Sequence, residues 1–168
     1  MVFKHINGVV AEAQFSPCGR YRYRLTIDRE DSTGDHSSVS VIMQNPSVAN
    51  SEVADRSVQF LENLIFNKDY DEFKGVKRII VVNQFALIQT NDFEGVDDHI
   101  GTENDRHIEN ALDEADIVLI AWGAGNPYLE RQQAITSMLA QHRGKKILKT
   151  KKHPSRGSYK DFVEPLNI

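Results

Sequence analysis

Four groups of polar and aromatic residues in this 168-residue chain stand where short apolar runs stop. Gln44-Asn45-Pro46-Ser47 follows Val39 to Met43, and Asn83-Gln84-Phe85 follows Ile79 to Val82. Trp122-Gly123 closes the run from Ile117, and His153-Pro154-Ser155 follows a weaker one from Lys146 to Leu148. A carboxamide carries a donor and an acceptor on one planar group, an imidazole can donate to a carbonyl, and aromatic rings stack on flat ligands. Brought together, these groups suit recognition of a planar, hydrogen-bonding ligand such as a nucleobase. Each also has an ordinary structural use. Asn before Pro makes a turn, Asn83 can cap a strand exit, His153 before Pro can sit in a surface loop, and Trp122 can be core.

Charge adds to the pattern. The whole chain is at −4, yet between Arg143 and Lys160 there are eight basic residues and no acidic one, which leaves the remainder at −12. An acidic body with one basic segment holds a polyanion locally without strong nonspecific nucleic-acid binding. A solvated, lysine-rich edge strand would give the same count.

The elements that must position these residues follow from periodicity. Val9, Ala11, Ala13 and Phe15 alternate with polar neighbours, and after a Pro17/Gly19 turn Tyr21, Tyr23, Leu25 and Ile27 do the same, which predicts an antiparallel hairpin. Arg29 to Ser38 is polar and reads as a loop. The four apolar runs alternate with three helical patterns: one from Asp55 with Val58, Leu61, Leu64 and Ile65 on one stripe; one from Thr102, which with Asp105 fits a capping box, burying Ile108, Ala111, Leu112 and Ala115; and one from Pro127 to Gly144 through Leu129, Ile135, Met138 and Leu139. This alternation predicts a single α/β domain over residues 1–168, three-layered, with a mostly parallel central sheet and an N-terminal antiparallel hairpin. In such sheets sites lie beyond the carboxyl ends of the strands.

In order along the chain, Val41-Ile42-Met43-Gln44-Asn45-Pro46, Ile80-Val81-Val82-Asn83, Val118-Leu119-Ile120-Ala121-Trp122-Gly123 and His153-Pro154-Ser155 resemble the motifs of the uracil-DNA glycosylase superfamily. The resemblance implies a glycosylase-like fold and hydrolysis of the N-glycosidic bond of a deaminated or 5-modified base in DNA. Asn45 would orient the water and His153 would stabilise the leaving base. Asn83 and Gln44 would contact the base, with Phe85 or Phe60 as a stacking face. The family's best-known uracil enzymes carry Tyr where this chain has Ser47, and the smaller residue leaves room for a 5-substituent. After His-Pro-Ser they continue Pro-Leu-Ser, where this chain has Arg156-Gly157-Ser158. Arg156, Lys151, Lys152 and Ser155 are the implied phosphate contacts, and the implied partner is single-stranded or locally distorted duplex DNA, or a nucleotide. Asn45 cannot take a proton as a carboxylate does, so such a site would be slow.

A closer resemblance is to a family of uncharacterised bacterial and phage proteins. It rests on Asn45-Pro46-Ser47-Val48-Ala49, Asn83-Gln84-Phe85-Ala86, Glu103-Asn104-Asp105 and Ala121-Trp122-Gly123. It singles out Asp55, Asn104, Asp105 and Trp122 without giving them roles. Two alternatives to excision stay open: a weak or inactive glycosylase-like protein that binds a base, nucleotide or nucleic acid, and a nucleoside or nucleotide hydrolase. No cofactor or metal is expected, because Asp97-Asp98-His99 reads as loop and Asp105 and His107 do not share a helix face. The single cysteine, Cys18, excludes an internal disulfide. No run of about 18 apolar residues and no signal-peptide layout is present, so a cytoplasmic protein is expected.

Overall fold

The computed structural model describes residues 3–31 and 37–166. Seven strands form one sheet in the order β1-β2-β4-β3-β5-β6-β7: β1 (Val9–Phe15), β2 (Arg22–Arg29), β3 (Ser37–Met43), β4 (Val76–Asn83), β5 (Ile117–Ile120), β6 (Lys146–Thr150) and β7 (Val163–Pro165). Among the described residues three α-helices accompany them: α1 (Arg56–Phe66), α2 (Asn104–Glu114) and α3 (Leu129–Ala140). Of the loop expected from Arg29 to Ser38, Arg29 instead closes β2 and Ser37 and Ser38 open β3, paired with β4, while residues 32–36 lie outside the described residues.

The expectation of a mostly parallel, glycosylase-like sheet is corrected by the pairing. β3 runs parallel to β4 and β5, and β5 to β6, but β1·β2, β2·β4 and β6·β7 are antiparallel, so the sheet is mixed. The N-terminal strands do not stand apart. Leu25 to Asp28 pair with Val81 to Arg78, which brings β2 into the sheet against β4, and the last described residues return as β7 on β6, a strand too short to show in the apolar pattern. Crossover helices are needed only between parallel neighbours, so these outer strands joined without leaving a helical signal.

Side-chain alternation divides the core into two layers. Val39, Val41, Met43, Ile79, Val81, Leu119 and Ala121 pack with Val58, Leu61, Leu64 and Ile65 of α1. Ile42, Ile80, Val82, Val118 and Ile120 pack with Ile108, Ala111 and Leu112 of α2 and Ile135 and Leu139 of α3. The central strands are buried on both faces, which is why they read as apolar runs rather than alternating ones, with Ser40 accommodated in β3 by donating to Ala111 O at 2.8 Å.

Helix ends differ in how their sequence is used. Asp55 is the N-cap of α1, its Oδ1 accepting from Val58 N–H at 2.8 Å. The capping box expected at Thr102 is absent; α2 begins two residues later behind Glu103, which makes no side-chain cap, because Asn104 turns inward to serve the end of β4. α3 starts at Leu129 rather than Pro127, and Leu129 is 63% exposed instead of contributing to the stripe. Among the described residues no helix is long and apolar enough to cross a membrane.

Candidate functional site

The carboxyl ends of the four parallel strands are level. Asn83 pairs with Met43, Ile42 with Ile120, and Ile120 with Lys149, so Asn83, Gln44, Trp122 and Lys151 all emerge along one edge. Continuing the alternation of Ile79 and Val81 points the Asn83 side chain to the α1 face. α1 begins at that same edge, so its N-cap Asp55 and the 3-10 turn Pro154–Arg156 overhang it.

Asn83 is 1% exposed, and neither its Nδ2 nor its Oδ1 has a hydrogen-bond partner among the described residues. Burying a carboxamide unpaired costs about 1–3 kcal/mol per polar group, so such a group marks a place where something else is bound or where strain is held for a purpose. Its backbone is fixed firmly. Asn104 Nδ2 donates to the carbonyls of Asn83 and Gln84 at 3.0 and 3.2 Å, and Arg131 Nε donates to Gln84 O at 2.8 Å while its Nη2 reaches Asp105 Oδ1 at 2.7 Å. Asn104 and Asp105 therefore brace the exit of β4.

His153 is the N-cap of the 3-10 turn. Its Nδ1 accepts from Ser155 N–H at 3.1 Å and lies 2.9 Å from Ser155 Oγ. An Nδ1 used as acceptor leaves the proton on Nε2, so the free side of the ring is a donor. Burial, followed by the charge of Arg156, pushes the imidazole pKa down, against a smaller upward pull from Asp55, which favours that neutral form. Gly123 makes the close approach possible. Its φ is +91°, and a Cβ there would lie 3.0 Å from the His153 backbone nitrogen. That is a physical use for the Trp122-Gly123 pair; Trp122 itself is half-buried against the Ile42–Ile80 layer.

A residue outside the sequence-derived set completes the cluster. Arg22, at the start of β2, is 1% exposed, with Nη1 donating to Ala49 O at 2.9 Å and Nε unpaired among the described residues. Burial lowers its pKa to about 10, partly offset by the carboxylate of Asp55. The charge of Asp55 thus reaches both Arg22 and His153. Arg22 left no signal in the sequence because it reads as one more polar position in an alternating strand, between Tyr21 and Tyr23.

The other expected site residues divide. Asn45 is spent on structure: Nδ2 donates to Gln89 O at 2.7 Å and more weakly to Leu87 O at 3.4 Å, and Oδ1 accepts from Gln44 Nε2 at 2.9 Å. Gln44 in turn accepts from Asn126 Nδ2 at 3.0 Å, and Ser47 Oγ lies 3.2 Å from Thr90 Oγ1. Phe60 packs on the α1 side, stacked on Tyr159 with centroids 4.7 Å apart and closed over by Gly157. Phe85 goes elsewhere, edge-on to Phe93 and Tyr128 near the start of α3, so the two rings do not form one stacking face. Lys151, Lys152 and Arg156 are exposed around His153, and Ser155 is half-buried beneath it. Clefts of about 850 Å³, lined by Tyr21, Tyr23 and His99 among others, and about 440 Å³, lined by Phe85, Tyr128 and Arg131 among others, include none of Asn83, Asp55 and His153.

Residues 22–156 match the family described as a protein of unknown function, DUF1643. The chain belongs to that family. No curated protein matches it. The DUF1643 stretch begins at the buried Arg22 and ends at Arg156 of the His153 turn, so it contains the whole cluster and leaves out β1 and β7.

Proposed function

We propose that this protein recognises a nucleobase through Asn83 and His153 and hydrolyses its N-glycosidic bond, acting on a deaminated or 5-modified base in DNA. The observation that carries this reading is the Asn83 carboxamide, buried with neither polar atom paired among the described residues. A planar donor-plus-acceptor of that kind matches the adjacent N–H and carbonyl of a uracil-like edge. The Nε2–H of a neutral His153 supplies a donor where negative charge develops on the departing base. The motif order that resembles the uracil-DNA glycosylase superfamily supports the reading, as do the exposed Lys151, Lys152 and Arg156 as phosphate contacts.

A second reading, base binding without excision, is favoured by the hydrogen bonds that occupy Asn45. The test uses single- and double-stranded oligonucleotides carrying uracil, 5-hydroxymethyluracil or hypoxanthine, scored for abasic-site cleavage and for binding. Excision by the parent and its loss in Asn83→Ala and His153→Ala is the expected result. Binding that depends on Asn83 without any excision would replace it with the second reading, and neither cleavage nor binding would overturn both.

A further inference from the structure

Hydrolysis of a glycosidic bond needs a water on the open face of the sugar and a negative group facing the positive charge that grows there. Asn45 meets neither need, since it carries no charge and its amide already makes hydrogen bonds at both ends. Asp55 is placed differently. Its Oδ1 holds the first turn of α1 through Val58 N–H, and its Oδ2 has no partner among the described residues. It stands at the N-terminus of α1, at the same edge and on the same face of the sheet as Asn83, and its charge reaches both Arg22 of β2 and His153, the N-cap of the turn Pro154–Arg156. Arg22, whose Nε has no partner among the described residues, holds a positive charge within electrostatic reach of the carboxylate, and Arg156 adds a second that reaches His153.

We propose that Asp55, rather than Asn45, holds the attacking water and receives its proton. This deepens the excision reading and rests on it. In the step, water oxygen bonds to the anomeric carbon as the carbon–nitrogen bond breaks. The bonding pair leaves on the base, which Asn83 and His153 hold, the water proton passes to Asp55 Oδ2, and solvent reprotonates the base. The carboxylate also faces the cationic sugar. Asp55 is therefore a catalytic residue whose cap bond fixes its orientation.

Asp55→Asn tests this, because Asn keeps an oxygen for the cap and nearly the same shape while removing the proton acceptor. With the same oligonucleotides, the expected result is a loss of excision of about 100-fold or more, as for removal of a general base, with oligonucleotide binding within about threefold of the parent. The loss should fall on the single-turnover rate of the bound complex while binding is kept, a split that damage to the fold would not produce. An Asp55→Asn variant that excises within about threefold of the parent overturns the inference. So does a parent that excises nothing; if Asn83-dependent binding persists in that case, base recognition survives and only the chemistry assigned to Asp55 falls.

Discussion

Removing His5 should break a buried charged pair and take away the part of the fold's pH dependence that this pair carries. Glu62, in the middle of α1, has a fully buried side chain, and His5 Nδ1 meets its Oε2 at 2.6 Å while His5 Nε2 meets Asn50 O at 2.7 Å. Both ring nitrogens face acceptors, so the geometry calls for an imidazolium. Burial alone lowers the His5 pKa, but the hydrogen bond the ring donates to Glu62, the one to the Asn50 carbonyl and the Glu62 charge outweigh it, and the net shift is upward. A raised folded-state pKa gives stability that is complete below the unfolded value of about 6.5 and is lost as pH rises through the folded value. His5→Leu leaves Glu62 with one remaining bond, from Ile6 N–H at 3.1 Å. Breaking a buried pair costs about 3–5 kcal/mol, and since that bond survives, roughly 3 is expected at pH 6. At about 2–4 °C per kcal/mol in a domain of this size, the melting temperature should fall by roughly 6–12 °C. Urea unfolding of the parent, His5→Leu and His5→Leu/Glu62→Leu between pH 5.5 and 9 measures this. The double variant should recover most of the loss, since apolar replacement of both partners is nearly neutral. A single variant that loses less than about 1 kcal/mol at pH 6, or that keeps the parent's decline above pH 6.5, would refute the assignment of a charged pair.

Three further outcomes follow from the site. Gly123→Ala places a Cβ at φ +91° against the His153 backbone and should cost roughly 1–2 kcal/mol in urea unfolding while weakening oligonucleotide binding; Gly125→Ala, with open space around it, should change neither. Asp55→Ala should lose about 1 kcal/mol of stability with the α1 cap, whereas Asp55→Asn should lose only a few tenths, as thermal unfolding would resolve. Arg22→Met trades a buried guanidinium for apolar volume and should keep stability within about 2 kcal/mol of the parent, since burial of the charge already works against it; a larger loss would mean that the bond to Ala49 O anchors the 44–55 loop.

Where the sequence was informative, local chemistry and burial agreed. The stripe of Val58, Leu61, Leu64 and Ile65 behind an aspartate N-cap needs only helical periodicity and an oxygen at the right place, and α1 has both. Ile79 to Val82 of β4 and Ile117 to Ile120 of β5 are apolar throughout because both faces are covered, and the run in β3 is broken only by Ser40, whose hydroxyl donates to Ala111 O. Sheet order was harder, because pairing between distant segments leaves no local mark: nothing in Arg22 to Arg29 says that its neighbour is β4 as well as β1. At the site, Asn83 and His153 were legible as polar groups at strand ends. The commitment of Asn45 to the carbonyls of Gln89 and Leu87, and the separation of Phe60 from Phe85, depend on contacts more than twenty residues apart and could not be read from motif spacing. Thr102 misled because Asn104 is drawn toward the carbonyls of Asn83 and Gln84, a tertiary pull that overrides capping chemistry.

The strand order also makes the two margins of the sheet unequal toward other chains. β7 has only three residues and ends in Pro165, which has no N–H to offer, so that margin is a poor template. β1 is seven residues long, with Val10 and Phe15 58% and 44% exposed and Glu12 as its lone charge. Self-association by strand addition would therefore begin at β1, and a lysine in place of Val10 is the direct way to keep concentrated samples monomeric.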